Sequence, residues 1–578
     1  MQRGKNVIYV LSLICIGVGI LFNQENMVYF LSGNTVFLIT MLFVFGMAYK
    51  FMLNQKNSGA LINKTEIRKI QKSLGVGFLF LTGMILLVYV MDAYRAYMVQ
   101  DLYAQRNLFA FLVLVIVASG LFCLQRYWED KFSEQDIIWF IFLLGLAIRI
   151  IYLLYTPITE RQNDIGSFTE GNTNHLGYVY YLYTYGKLPD IDPREALQFY
   201  NPPLHYIICA GWLRLQTTIG VSLERALENL QLLTLFYSGC IMIVADKIAL
   251  KLRLFGGYRI LSLGLVAFTP YLFMGAGAVN LDTLLTLLMV IAIYCTLCWM
   301  EKPCIKWILM IAISLGFGIM TKITAGVLAV PIGVIFCWNW IKERKEWKKY
   351  LSMYGIFAVV IFPIALWFPI KNLILFNMPV VWSPPTSGME QYTGNFTLWE
   401  RFFDFDLIQF KTLCVSWYEG YWEGANYVEH NIPLAFLKHL AFSDWPYCMY
   451  TTLYYLISAV LLMMIAFIII SCIGLLVYWT VRGKETLQNR VFVLLTVIVY
   501  MGAYLYFVLS KPYVAAMNIR YVLPVVIMLF VGGNLGLRVF MQKMKPKYKS
   551  WVRKLICVAG VFYGSISIGL FCLFMIKA

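Results

Sequence analysis

Residues 158–203 read ITERQNDIGSFTEGNTNHLGYVYYLYTYGKLPDIDPREALQFYNPP, a polar passage between two long apolar segments. It holds Glu160, Arg161, Asp164, Glu170, His175, Asp190, Asp192, Arg194 and Glu195. So many charges do not sit in lipid, where each unpaired one costs several kcal/mol. The stretch is therefore a loop outside the hydrocarbon, anchored by membrane helices at both ends.

Composition agrees with that setting. Of 578 residues, 61% are hydrophobic and 13% charged, where soluble domains carry about a quarter charged. Repeated apolar runs long enough to cross a bilayer give an all-α polytopic membrane protein. The net charge of +17 does not point to nucleic acid. The Lys and Arg residues fall in short loops between helices, as the positive-inside bias requires, and no exposed domain could lie on a duplex. Some of that charge can face anionic lipid headgroups. Most of the 13 cysteines lie in apolar runs, and Cys295 and Cys298 read as a buried pair inside a helix rather than a redox or metal site. The first residues, MQRGKNVIYVLSLICIGVGILF, lack a small-x-small cleavage site and read as a retained helix with a cytoplasmic N-terminus.

Counting helices places the polar loop. The pattern predicts helices at 7–22, 27–53, 74–91, 107–124 and 137–157, with a basic loop at 54–72. That basic loop is cytoplasmic, so 158–202 falls on the extracytoplasmic side. From the other end, KERKEWKKY (342–350) and KMKPKYKSWVRK (543–554) are the strongest cytoplasmic signals. A helix at 351–369 then leads outward into a second long polar region, 370–449, rich in Trp, Tyr, Pro and Glu. Between 203 and 341 lie six apolar segments, although an odd number of crossings is required. Either 203–217 is only partly inserted or 308–341 is one long broken helix; the total is about 14 or 15 crossings. The expected division is a four-helix module at 1–124, a core at 137–369, the second loop region at 370–449 and C-terminal helices at 450–578.

Two long loops on one side make a site at the membrane surface, suited to a substrate with a lipid tail and a polar head. Asp164 lies just beyond the end of helix 137–157, where a carboxylate can take a proton from an attacking hydroxyl. Its plain alternative is a solvated loop charge. Asp164, Glu170 and His175 together are a candidate divalent-metal set, although their spacing fits no strict template. Tyr178, Tyr180, Tyr181, Tyr183 and Tyr185 suit an interfacial helix. In YNPPLHY (200–206) the proline pair suits a first helical turn, with Asn201 and His205 at the cavity mouth. Lys322 stands alone in GFGIMTKITAG (316–326), and Arg520 and Tyr521 open a helix in NIRYVLP (518–524). Each cation suits a lipid phosphate, Arg by its forked grip, or is a snorkelling interface residue.

These stretches, with NLDTLLTLL (280–288) and WFPIKNLILFNMPV (367–380), occur in an order that resembles the GT-C class of membrane glycosyltransferases. Within it, the chain is similar to the protein O-mannosyltransferase and aminoarabinose-transferase-like group, over roughly 137–530. The resemblance implies a GT-C helical bundle with short helices on the two outer loops. It implies transfer of a sugar from a polyprenyl-phosphate donor, outside a bacterial cytoplasmic membrane, to a cell-envelope or protein acceptor. The family's first-loop acid corresponds to Asp164, but the adjacent second acid is here Ile165, with Glu170 as a substitute. The cation that often precedes Pro-Pro is here Asn201, leaving Lys322, Lys371 or Arg520 to meet phosphate alongside Arg161. No cofactor is required by this reading, a divalent metal being the one candidate. The rivals are a transporter or flippase of lipid-linked sugars, for which Asp246 and Lys247 are the clearest intramembrane charges, and an inactive scaffold of the same fold.

Overall fold

The computed structural model describes residues 133–159, 164–384, 392–405, 429–442, 466–467, 469–480 and 487–577. The module expected at 1–124 lies outside them, as do Arg161 and Trp417, Tyr418 and Trp422, aromatics of the second loop region expected to shape an acceptor groove. The described residues fall in one compact unit that includes Phe122–Ala578. They are helical, and their one extended pairing is an isolated antiparallel bridge between Tyr392 and Tyr513. Seven helical stretches among them are long and apolar enough to cross a membrane, which makes this a polytopic all-α membrane protein.

Helix α1, Glu134–Tyr155, opens on a local cap. The backbone N–H and hydroxyl of Ser133 both donate to Asp136, each at 2.8 Å, where an acid favours the positive helix end. The polar loop follows, with α2 at His175–Tyr185 and α3 at Leu204–Thr218 packed on each other. Their shared core holds Leu176, Tyr178, Val179, Tyr206, Cys209 and Leu213. The Tyr178 ring stacks on Tyr206 at 4.3 Å. Gly177 is required there, because a Cβ on it would lie 2.0 Å from the Asn172 carbonyl oxygen.

The main bundle begins with α4, Leu223–Glu228, which leads into α5, Gln231–Lys251. Helices α6, Gly257–Phe268, and α7, Pro270–Met274, run back. Next come α8 at Leu281–Glu301, α9 at Ile305–Thr321, α10 at Ala329–Lys342 and α11 at Trp347–Phe376. The ends identify themselves by contacts. Lys251 closing α5 pairs with Glu301 closing α8, so those two helices run the same way. Lys322, just past α9, pairs with Asp282 at the start of α8, so α9 runs opposite. Arg194 of the polar loop donates to the carbonyl of Phe376 at 2.8 Å, so α11 ends beside that loop.

This order fits an odd crossing count. Helix α3 lies against α2 and is neither one of the seven candidate spans nor one of the shorter apolar helices, whereas α6 and α9 are among the latter. Five passages remain between 223 and 342: α5, α6 with α7, α8, α9, and the 3-10 turn Ile323–Leu328 with α10. Five is odd, as required.

The break between α6 and α7 has a specific filling. Pro270 has no N–H to donate to Val266, four residues back. Arg149 of α1 supplies donors instead: Nη2 to Val266 at 3.2 Å and Leu272 at 3.4 Å, Nη1 to Ala267 and Gly145 at 2.9 Å, and Nε to the Ser238 hydroxyl at 2.8 Å. A fully buried cation is tolerated because it is ringed by acceptors.

Beyond α11, the second loop region contributes α12, Leu398–Phe403, and α13, Ile432–Phe442. It is fastened to the chain around residues 508–512. Thr393 N–H donates to the Pro512 carbonyl at 2.8 Å, and Arg401 reaches the Val508 carbonyl at 3.1 Å. The bundle is completed by α14 at Ile469–Thr480, α15 at Leu487–Ser510, α16 at Leu523–Lys543 and α17 at Pro546–Lys577.

Candidate active site

Four charged side chains from four parts of the chain meet at the end of the bundle that carries the polar loop. Asp164 comes from the loop, Asp282 from the first turn of α8, Lys322 from the end of α9, and Arg520 from a 3-10 turn before α16.

Asp164 has left-handed backbone, φ 57°, which Asp tolerates better than most residues because its side chain is short and polar. The turn puts two carbonyls over the start of α2. Asp164 O accepts from His175 N–H at 3.1 Å, and Ile165 O from Leu176 N–H at 2.9 Å. These satisfy amides that a helix start leaves open. The carboxylate, partly exposed, lies 3.5 Å from Arg520 Nη1.

Asp282 is buried, and its own amide is capped by the Asn280 side chain at 3.0 Å. Its carboxylate accepts from Lys322 Nζ at 2.7 Å. Both the helix N-terminus and the lysine favour the ionised acid. The Tyr521 ring lies between the cations, with Lys322 4.7 Å and Arg520 5.2 Å from its centre. Desolvated cations gain from such an aromatic face. Asn518 orders the turn. Its side-chain oxygen accepts from Arg520 N–H at 2.9 Å and from the Tyr271 hydroxyl at 3.2 Å.

His175 lies behind these charges. Its Nδ1 is 2.8 Å from the Tyr206 hydroxyl. Burial pushes its imidazole down to about 4, against the upward pull of Asp164 and Asp282, while Arg520 and Lys322 push the same way as burial. His205 is deeper still, with Nε2 3.5 Å from Cys209 Sγ, and burial lowers it to about 3. Both rings are therefore neutral at physiological pH. Tyr200 and Tyr513 also feel the fields of Asp164 and Arg520, and burial raises both phenols, so they remain protonated donors.

Several expected site residues are elsewhere. Glu170 is at the surface, accepting from the Tyr185 hydroxyl at 2.9 Å. It stands apart from buried His175, and among the described residues no three His, Cys, Asp or Glu side chains gather closely enough to hold a metal. Asn201 is buried and tied to Gln198 Oε1 at 2.9 Å. The field of Lys371 reaches Asp190 of the polar loop, after that of Lys187. Asp246, one of the few intramembrane charges a transport reading could use, is gripped by Arg259 at 2.6 and 2.7 Å, with Glu134 at 3.0 Å from the same guanidinium, at the opposite end of the bundle. Asp282 stands within the quoted NLDTLLTLL but was not singled out as a site residue. On sequence it reads as a first-turn acid, and only the meeting of α8 with α9 gives it a cation.

Residues 228–367 match the family described as dolichyl-phosphate-mannose-protein mannosyltransferase. Among curated proteins no match is found. Solved structures are similar at low identity, among them the following. The archaeal oligosaccharyltransferase AglB from Archaeoglobus fulgidus, in complex with an inhibitory peptide and a dolichol-phosphate, is 11% identical with a TM-score of 0.38. The alignment covers 78% of this chain and 56% of AglB. ArnT from Cupriavidus metallidurans bound to undecaprenyl phosphate is 12% identical with a TM-score of 0.30, over 72% of this chain and 82% of that one. Its apo form is 14% identical with a TM-score of 0.30, over 70% and 80%. The family match spans α5 to α11, and so includes Asp282 and Lys322 but neither Asp164 nor Arg520. It bears out the resemblance drawn from the sequence: this chain is similar to the GT-C class of membrane glycosyltransferases.

Proposed function

We propose that the chain transfers a sugar from a polyprenyl-phosphate donor to a hydroxyl-bearing envelope or protein acceptor, on the extracytoplasmic side of a bacterial cytoplasmic membrane. The observation that carries this reading is the pair of acid–cation contacts, Asp164 with Arg520 and Asp282 with Lys322. Their end of the bundle is opposite KERKEWKKY and KMKPKYKSWVRK, which the positive-inside bias assigns to the cytoplasm.

The four charges sum to zero before substrate arrives. An anionic lipid phosphate draws on Arg520 and Lys322, the two cations flanking Tyr521. Arg520 then shares its charge between Asp164 and the phosphate. Asp164 takes the proton of the acceptor hydroxyl as that oxygen bonds to the anomeric carbon. The carbon–oxygen bond to phosphate breaks, and the bonding pair leaves on the phosphate. Arg520 and Lys322 stabilise that growing charge from fixed positions. Asp282 holds Lys322 in place. Neutral His175 adds no charge and, with Tyr206, supports the loop from behind.

The test uses purified full-length protein, a radiolabelled polyprenyl-phosphate sugar and an acceptor fraction from the native envelope. Asp164→Asn should lower the transfer rate by about 10²–10⁴-fold, the usual effect of removing a general base. Wild-type turnover by that variant would remove Asp164 from the chemistry, and absence of any sugar transfer by the wild type would remove the function.

A further inference from the structure

A second charged site lies at the other end of the bundle, outside the proposed chemistry. A cavity of about 450 Å³ is lined by Arg253, Phe255, Tyr258, Arg538, Val539, Gln542, Lys549 and Arg553. It draws on three places: the turn between α5 and α6, the last turns of α16, and the start of α17. Arg538 is fifteen or more residues along α16 from the Arg520 turn, which at 1.5 Å per residue is roughly 25 Å away.

We propose that this cavity binds the phosphate headgroup of an anionic phospholipid. Four of its lining side chains are cationic and none is acidic. Like charges brought together in a half-enclosed space repel one another, and a phosphate relieves that repulsion. The cluster is also ordered. Arg253 has left-handed backbone, φ 58°, and its carbonyl accepts from Arg538 Nη1, which fixes one guanidinium over the turn. Tyr258 and Gln542 add neutral donors.

A lipid fits better than free phosphate because an apolar ring stands at the cavity's edge: Phe255 lines it and is 58% exposed. An acyl chain can lie against that ring while the headgroup meets the cations, the arrangement known for basic pockets between membrane helices.

The test is native mass spectrometry of full-length protein with phosphatidylglycerol, phosphatidylcholine or inorganic phosphate. Phosphatidylglycerol should be retained preferentially. Lys549→Gln with Arg553→Gln should weaken its retention by about 30-fold, from about 1 kcal/mol for each charge removed near the headgroup. Lys545→Gln with Lys547→Gln removes the same charge outside the cavity and should leave retention intact, while thermal melting shows that both variants fold. Equal loss in the two variants, equal retention of phosphatidylcholine, or displacement of lipid by millimolar phosphate would each overturn the proposal.

Discussion

His175 is the residue at which burial and charge compete most openly. It lies within the fields of two acids and two bases, yet burial dominates and its imidazole is held down to about 4. An unfolded histidine titrates at about 6.5. Between those values the unfolded chain binds a proton that the folded chain does not, so stability falls as pH drops through the window and is full above it. The loss for this one residue is up to about 3 kcal/mol. The thermal midpoint in detergent should therefore decline from about pH 6.5 towards 4. His175→Gln should shrink that decline without abolishing it, because His205, lowered to about 3, titrates in the same direction. An unchanged acid profile in the variant would show that His175 is not the buried group responsible.

At the same scale, the legible and illegible parts of the site differ for physical reasons. Asp164, Lys322, Arg520 and Tyr521 were readable because each polar group stands beside long apolar segments, where it needs a cause. Asp282 was hidden by its setting, since an acid in a first helical turn already has one. Glu170 and Lys371 were plausible by composition alone; which way a loop carboxylate or a helix-end lysine points depends on packing that spacing does not encode.

At the scale of elements, helix approach is set by small residues. Gly533 and Gly536 of α16 face Ser471 and Gly474 of α14, Gly532 meets Leu475 beside them, and a Cβ on Gly536 would lie 1.5 Å from the Gly474 carbonyl oxygen. This is close backbone packing of the kind that small-xxx-small patterns permit in membranes. Gly532-x-x-x-Gly536 was present in the sequence as such a pattern, but its partner helix was not. Gly536→Ala should lower stability by about 1–3 kcal/mol, as overpacking does, and Gly502→Ala, with nothing within 4 Å of its added carbon, should not share that loss. Equal thermal midpoints for the two variants would contradict the contact. The α6–α7 break belongs to this scale too. Pro270 removes a backbone donor there, and that Arg149 from α1 fills the gap depends on a long-range contact.

At the scale of the molecule, the alternation of apolar runs gave an all-α membrane bundle, and the requirement of an odd crossing number already demanded that one segment near 203–341 stay out. Which segment it was depended on α3 folding against α2 instead of crossing. The two ends of the bundle differ in charge arrangement. One carries opposite charges in pairs, Asp164 with Arg520 and Asp282 with Lys322; the other carries a cavity lined by cations.

The central claim is that the paired end holds a donor phosphate on its cations while Asp164 does proton chemistry. Affinity for a sugar-free polyprenyl phosphate separates those roles, measured for wild type, Asp164→Asn and the double variant Lys322→Met, Arg520→Gln. Asp164→Asn should bind the lipid phosphate at least as tightly as wild type, and the double variant should lose about 10²-fold or more, as two charge-assisted contacts would. Wild-type affinity in the double variant would contradict the claim.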